Sequence, residues 1–161
     1  MTPVISLSRL VKNPWQQGDV YEGSEAGLGA LLGLKALGIT YNEVPPGKSG
    51  CPFHNHHVED EIFVILEGDG EYRLGQHHHV VTAGDVLGAP AGGVDTAHQL
   101  INTGDQSLQY LVISSRAAVD IIEYPDSGKF MARSGPPDQP RVRLLGRHDD
   151  APSYWEGEPG A

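Results

Sequence analysis

The chain has 161 residues, 20% charged and 39% apolar, enough for one soluble globular domain with a real core. Its formal net charge of −10 argues against a nucleic-acid surface, because phosphate binding draws on clustered Lys and Arg. The apolar runs are far shorter than a bilayer needs, so neither a signal peptide nor a membrane span is expected, and the single cysteine, Cys51, excludes an internal disulfide and fits a reducing, cytoplasmic setting.

The 21 glycines and 12 prolines predict many turns, hence many short strands. Residues 1–30 carry scattered apolar side chains and turn signals at Asn13-Pro14 and Gln17-Gly18. They read as an N-terminal strap over a sheet edge or a partner subunit. Residues 27–38 hold four glycines in twelve positions. Each glycine costs about 1 kcal/mol in a helix, so a strand near residues 31–36 is expected instead. Residues 39–44 form the next strand, stopped by Pro45-Pro46-Gly47. Tyr41 and Glu43 share one of its faces, which either looks into a pocket or lies at the surface.

Residues 50–68, GCPFHNHHVEDEIFVILEG, concentrate imidazole and carboxylate beside a compact apolar run. His54 and His56 are two apart and point to one face of a strand. Glu61 lies five after His56 and would face the other way on an unbroken strand. The polar segment 57–60 can break the strand and reset the face. Glu61, Phe63 and Ile65 then share one face, with Ile62, Val64 and Leu66 on the other. Neutral imidazole and carboxylate oxygen suit Fe, Mn, Ni, Co or Zn; the bland reading is a polar loop before a buried strand. Glu59 and Asp60 would supply a base or a partner behind a ligand, or simply carry exposed loop charge.

Beyond Leu66, residues 67–70 read as a turn, with residues 71–74 pairing back as a hairpin and Tyr72 and Leu74 on one face. His77, His78 and His79 invite a second metal site, but neighbours on a strand alternate faces, so a solvated turn is expected there. Strands follow at residues 80–82, 86–89 and 99–101, then at 108–114 and 119–124. From Arg133 the composition shifts to Ser134-Gly135-Pro136-Pro137, with a short strand expected at 141–145 and aromatic bulk at Tyr154-Trp155. Residues 126–161 are expected to be an extension docked on a barrel of residues 31–125, or partly disordered.

His54-x-His56-x4-Glu61-x6-Gly68 resembles the first signature of the cupin superfamily. Gly84-x5-Pro90-x-Gly92 and His98-x3-Asn102 resemble the two ends of the second, with five residues between Gly92 and His98 where the usual pattern has two. The stretch from His54 to Pro125 is similar to small single-domain bacterial cupins, some of which are labelled sugar-phosphate isomerases. The resemblance implies an all-β, double-stranded β-helix or jelly-roll barrel with terminal extensions. It also implies a homodimer and one divalent transition metal per chain on His54, His56, Glu61 and His98. Tyr41, Glu43, Phe63 and Tyr72 are candidates for the pocket. The small-molecule chemistry stays open between isomerisation on a Lewis-acid metal, an Fe(II) dioxygenase and non-catalytic binding of a metal or small ligand. A phosphate group would need cations in the pocket, and Arg73 and Lys48 are the nearest in sequence.

Overall fold

The computed structural model describes residues 3–135 and 139–160. The chain folds into thirteen strands and four single-turn 3-10 helices among these residues. The strands are β1 (Asn13–Gln17), β2 (Tyr21–Gly27), β3 (Leu37–Val44), β4 (Asn55–His56), β5 (Glu61–Glu67), β6 (Asp69–Leu74), β7 (His77–Thr82), β8 (Val86–Ala89), β9 (His98–Ile101), β10 (Leu108–Ser115), β11 (Val119–Tyr124), β12 (Lys129–Ser134) and β13 (Val142–Arg147). They form three antiparallel sheets, ordered β1-β2-β3-β10-β5-β8, β13-β12-β11-β4 and β7-β6-β9. This is the expected all-β jelly-roll barrel.

Strand alternation builds the core. On β5, Phe63 and Ile65 are each 2% exposed, whereas Ile62 on the other face is 44% exposed. Leu108 and Tyr110 of β10, Val44 of β3, Tyr72 of β6 and Leu100 of β9 close the same cluster. Buried Asn102 pins the loop after β9: its amide nitrogen donates to the carbonyls of Val44 and Gln106, both at 2.8 Å.

Four expectations change. Residues 31–36 are turns rather than a strand; the carbonyls of Leu28, Gly29 and Ala30 take the amides of Leu32, Leu34 and Gly33, and Gly33 holds φ +76°. β6 does not pair back on β5. It crosses to the other sheet, between β7 and β9, turning at Gly68 (φ +86°), where a Cβ would lie 2.7 Å from the Ser107 carbonyl oxygen. His77, His78 and His79 open β7 instead of lying in a turn, and all three are exposed. Finally, β1 and β2 lie inside the stretch expected as a strap, and β2 pairs with β3 in the six-stranded sheet.

At the other end, β12 pairs with β11, and β13 with β12. Pro136, Pro137 and Asp138 of the expected tail lie outside the described residues.

Candidate metal centre

Short backbone pairings set the site. β4 places His56 against Ile122 of β11, and Glu61 begins β5 after the break at residues 57–60. His54 and His98 exchange backbone hydrogen bonds, His54 N to His98 O at 3.1 Å and His98 N to His54 O at 2.7 Å. The five residues between Gly92 and His98 are taken up by a 3-10 turn over Val94–Thr96, so the longer loop still delivers His98 to the start of β9.

The three imidazoles converge on one oxygen. The Nε2 atoms of His98, His56 and His54 lie 3.1, 3.5 and 3.8 Å from Glu61 Oε2. Each ring is held from behind. His54 Nδ1 meets the Pro52 carbonyl at 2.8 Å, His56 Nδ1 meets Asp120 Oδ2 at 2.6 Å, and His98 Nδ1 meets the Thr96 carbonyl at 3.3 Å. An acceptor behind each ring puts the N–H at Nδ1 and leaves Nε2 with its lone pair facing the centre. Three lone pairs and a carboxylate oxygen around one point call for a cation between them. Ligand atoms about 2.1 Å from one ion and at right angles lie about 3 Å apart, close to the separations seen here. The residues therefore fit a first-row divalent ion, and His54, Glu61 and His98 make one compact potential ligand group.

The electrostatics express the same demand. Burial pushes the Glu61 carboxyl up, but the imidazoles of His54, His98 and His56 outweigh it and hold the group well below the usual carboxylate range. Burial acts downward on His54, and the Cys51 thiol and Glu61 carboxylate outweigh it, pushing the imidazole up to about 10. Without another cation, a proton held by His54 does the job of neutralising Glu61.

The rings of Phe63 and Tyr72 have centroids 5.5 and 6.3 Å from that of His98. Burial and then Glu61 push the Tyr72 phenol up, and its hydroxyl donates to the Gly88 carbonyl at 2.9 Å. Tyr41 and Glu43 do not line the site. They fall on the odd-numbered face of β3, opposite the core residue Val44, where buried Tyr41 donates to Gln109 and Glu43 pairs with Lys12 of the N-terminal segment. Arg73 is bound by both oxygens of Asp126, and Lys48 donates to the Asp19 carbonyl. His57 turns away to Glu123 at 3.1 Å.

Three residues behind the site escaped sequence reasoning. Asp120 is completely buried; its second oxygen accepts the Val58 amide at 3.0 Å. Arg133 reaches Glu59 at 2.5 Å and Asp120 at 3.8 Å. Arg116 lies close by, on the wall of the cavity beside His56. Glu59 is therefore not exposed loop charge: it is 5% exposed and takes the Ala117 amide at 2.6 Å as well. Asp60 is exposed, and it holds the Ala91 amide at 2.9 Å. His56, Glu59 and Asp120 form a second potential ligand group, but Arg133 already supplies its cation. A faint signal for Asp120 was present: in VDIIEY it is the one charged residue on the parity of inward Ile122.

Residues 40–114 match the family model described as Cupin domain. Auxin-binding protein T85 of Nicotiana tabacum is 31% identical over 134 residues, covering 76% of this chain and 68% of that protein. The chain belongs to the cupin superfamily. Auxin-binding protein 1 of Arabidopsis thaliana is 35% identical over 105 residues, covering 60% of this cupin but only 50% of the Arabidopsis protein, so the match spans half of that relative's length. Among solved structures, a protein of Acidithiobacillus ferrooxidans with the provisional description of a sugar phosphate isomerase superposes with a TM-score of 0.79 at 25% identity. That likeness covers 92% of this cupin and 94% of the other chain. No helix among the described residues is long and apolar enough to cross a membrane.

Proposed function

We propose that this cupin is a metal-dependent small-molecule enzyme of sugar or sugar-phosphate isomerase type. It holds one divalent transition metal on His54, His56, Glu61 and His98. The observation that carries the metal is the convergence of three Nε2 atoms on Glu61 Oε2, each ring fixed from behind. The isomerase class is supported by the near full-length likeness to the Acidithiobacillus ferrooxidans protein. Held by these four residues, a divalent metal would supply Lewis-acid polarisation of a substrate carbonyl oxygen.

The chain's own residues do the rest. Asp120 fixes His56 in the tautomer that offers Nε2. Phe63 and Tyr72 wall the site on the barrel side and exclude water. Tyr124, whose ring centroid is 6.2 Å from that of His54, is the phenol on the other side. The reading includes a cytoplasmic homodimer, which would bury the exposed Ile62 and Val86 on the outer face of β5 and β8.

A second reading is a non-catalytic small-ligand binding protein, favoured by the two relatives named as auxin-binding proteins. A third is an Fe(II) dioxygenase, which the same ligand chemistry permits. Turnover separates them. Metal-loaded protein is offered aldose and ketose phosphates, and interconversion is followed by NMR beside an O2 electrode. Interconversion lost in His98→Ala supports the isomerase. O2 uptake supports the dioxygenase, and saturable auxin binding without turnover supports the binding protein.

A further inference from the structure

A cavity of about 370 Å³ lies beside His56, between β3, β10 and β12. Its polar lining is Thr40, His56, Glu59, Ser114, Arg116 and Arg133; the remaining wall is glycine backbone and apolar side chains from residues 27–39. A volume of a few hundred Å³ suits a small metabolite rather than a polymer.

This lining has guanidinium donors to spare. Both oxygens of Glu59 are already engaged, Oε1 by the Ala117 amide and Oε2 by Arg133. Asp120 is engaged by the Val58 amide and by His56. Arg73 and Arg133 have carboxylate partners, whereas Arg116 has none among the described residues. The Nη1 atom of Arg133 is buried and has no acceptor among the described residues. A buried charged donor without an acceptor is costly, and the Nη1 atom of Arg133 together with the Arg116 guanidinium leaves donors at the cavity that no carboxylate among the described residues takes up.

We infer that this cavity binds the oxyanion group, carboxylate or phosphate, of a small ligand, with Arg116 and Arg133 as its cationic partners and Thr40 and Ser114 as hydroxyl donors. Guanidinium groups match such oxyanions with two parallel hydrogen bonds. As a substrate subsite the inference rests on the metal-dependent reading above, since the cavity touches His56. As an anion site it stands on the cavity alone.

The test uses chelator-treated, full-length protein, so that no anion is held by a metal. Calorimetric titrations are run with inorganic phosphate and with succinate. The variants are Arg116→Gln and Arg133→Lys, the second keeping a charge against Glu59 and Asp120 while removing Nη1. Arg143→Gln, on exposed β13, is the control. Circular dichroism and metal uptake are recorded for each.

We expect one site per chain, with affinity lowered at least about tenfold in both cavity variants and unchanged in the control, a loss of about 1.4 kcal/mol or more. Arg116→Gln should still take up metal. Tighter phosphate assigns the site to a phosphoryl group, and tighter succinate to a carboxylate. No binding of either anion to the wild type, or binding unchanged in folded Arg116→Gln, overturns the inference. Anion binding that persists in a chain taking up no metal supports the cavity and counts against the metal centre alone.

Discussion

Asp120, buried in β11, accepts the Nδ1 proton of His56 at 2.6 Å across 64 residues of sequence. This contact sets the direction of the His56 lone pair. Partners behind a ligating histidine typically contribute 10–100-fold to metal affinity. Asp120→Asn keeps the shape and removes the charge. We expect metal affinity, measured by chelator competition, to fall by about 10–100-fold with the fold intact. An unchanged affinity would reduce Asp120 to a packing role.

Arg133 balances two buried carboxylates at once. Its side chain is 13% exposed, against 7% for Glu59 and none for Asp120. Removing one partner of a buried pair leaves an uncompensated charge, at a cost of about 3–5 kcal/mol. Arg133→Met should destabilise the chain by about that much in urea unfolding. Adding Glu59→Gln to the same chain should restore part of the loss. Equal instability of the single and double variants would mean that packing of the long side chain, not charge, is what matters.

The metal-free chain should show a stability profile set by His54, Glu61 and His98. The His54 imidazole is raised from 6.5 to about 10, so its stabilisation is full below pH 6.5 and is lost as the pH rises toward 10. The Glu61 carboxyl is depressed from 4.5, so its stabilisation is present above pH 4.5 and is lost as the pH falls. Burial holds the His98 imidazole below 6.5, so stability also falls as the pH drops below that value, and maximal Tm is expected near pH 6.5, with a decline toward 10. Metal-loaded protein should lack the alkaline decline, because a ligated His54 has no proton to lose there. Melting curves of chelator-treated and reloaded samples check this, and parallel alkaline slopes would contradict it.

The strand pattern and the imidazole-carboxylate run were legible because they are local. Period-2 alternation placed Glu61, Phe63 and Ile65 on one face, and the break at residues 57–60 let Glu61 join His54 and His56. Alternation does not say which face is inward, and so Tyr41 and Glu43, together on β3, could be read toward the pocket when they lie on the face opposite the core residue Val44. Nor does a turn signal say which sheet the next strand joins. At Gly68 the glycine reads like a hairpin turn, yet β6 crosses to the other sheet. Asp120, Arg133 and Arg116 were hidden for a different reason. The partners of Asp120 and Arg133 lie in β4 and the segment after it, some sixty or more residues earlier, and only the folded sheet brings them, and Arg116, beside the site.

The most direct test of the metal centre is the metal content of protein purified without a histidine tag, since exposed His77, His78 and His79 already offer adventitious sites. Wild type is compared with His54→Ala and His98→Ala by inductively coupled plasma mass spectrometry. The account expects about one transition-metal ion per wild-type chain and loss in both variants. A wild type that holds no metal and fails to take up added Fe, Mn, Ni, Co or Zn would contradict it.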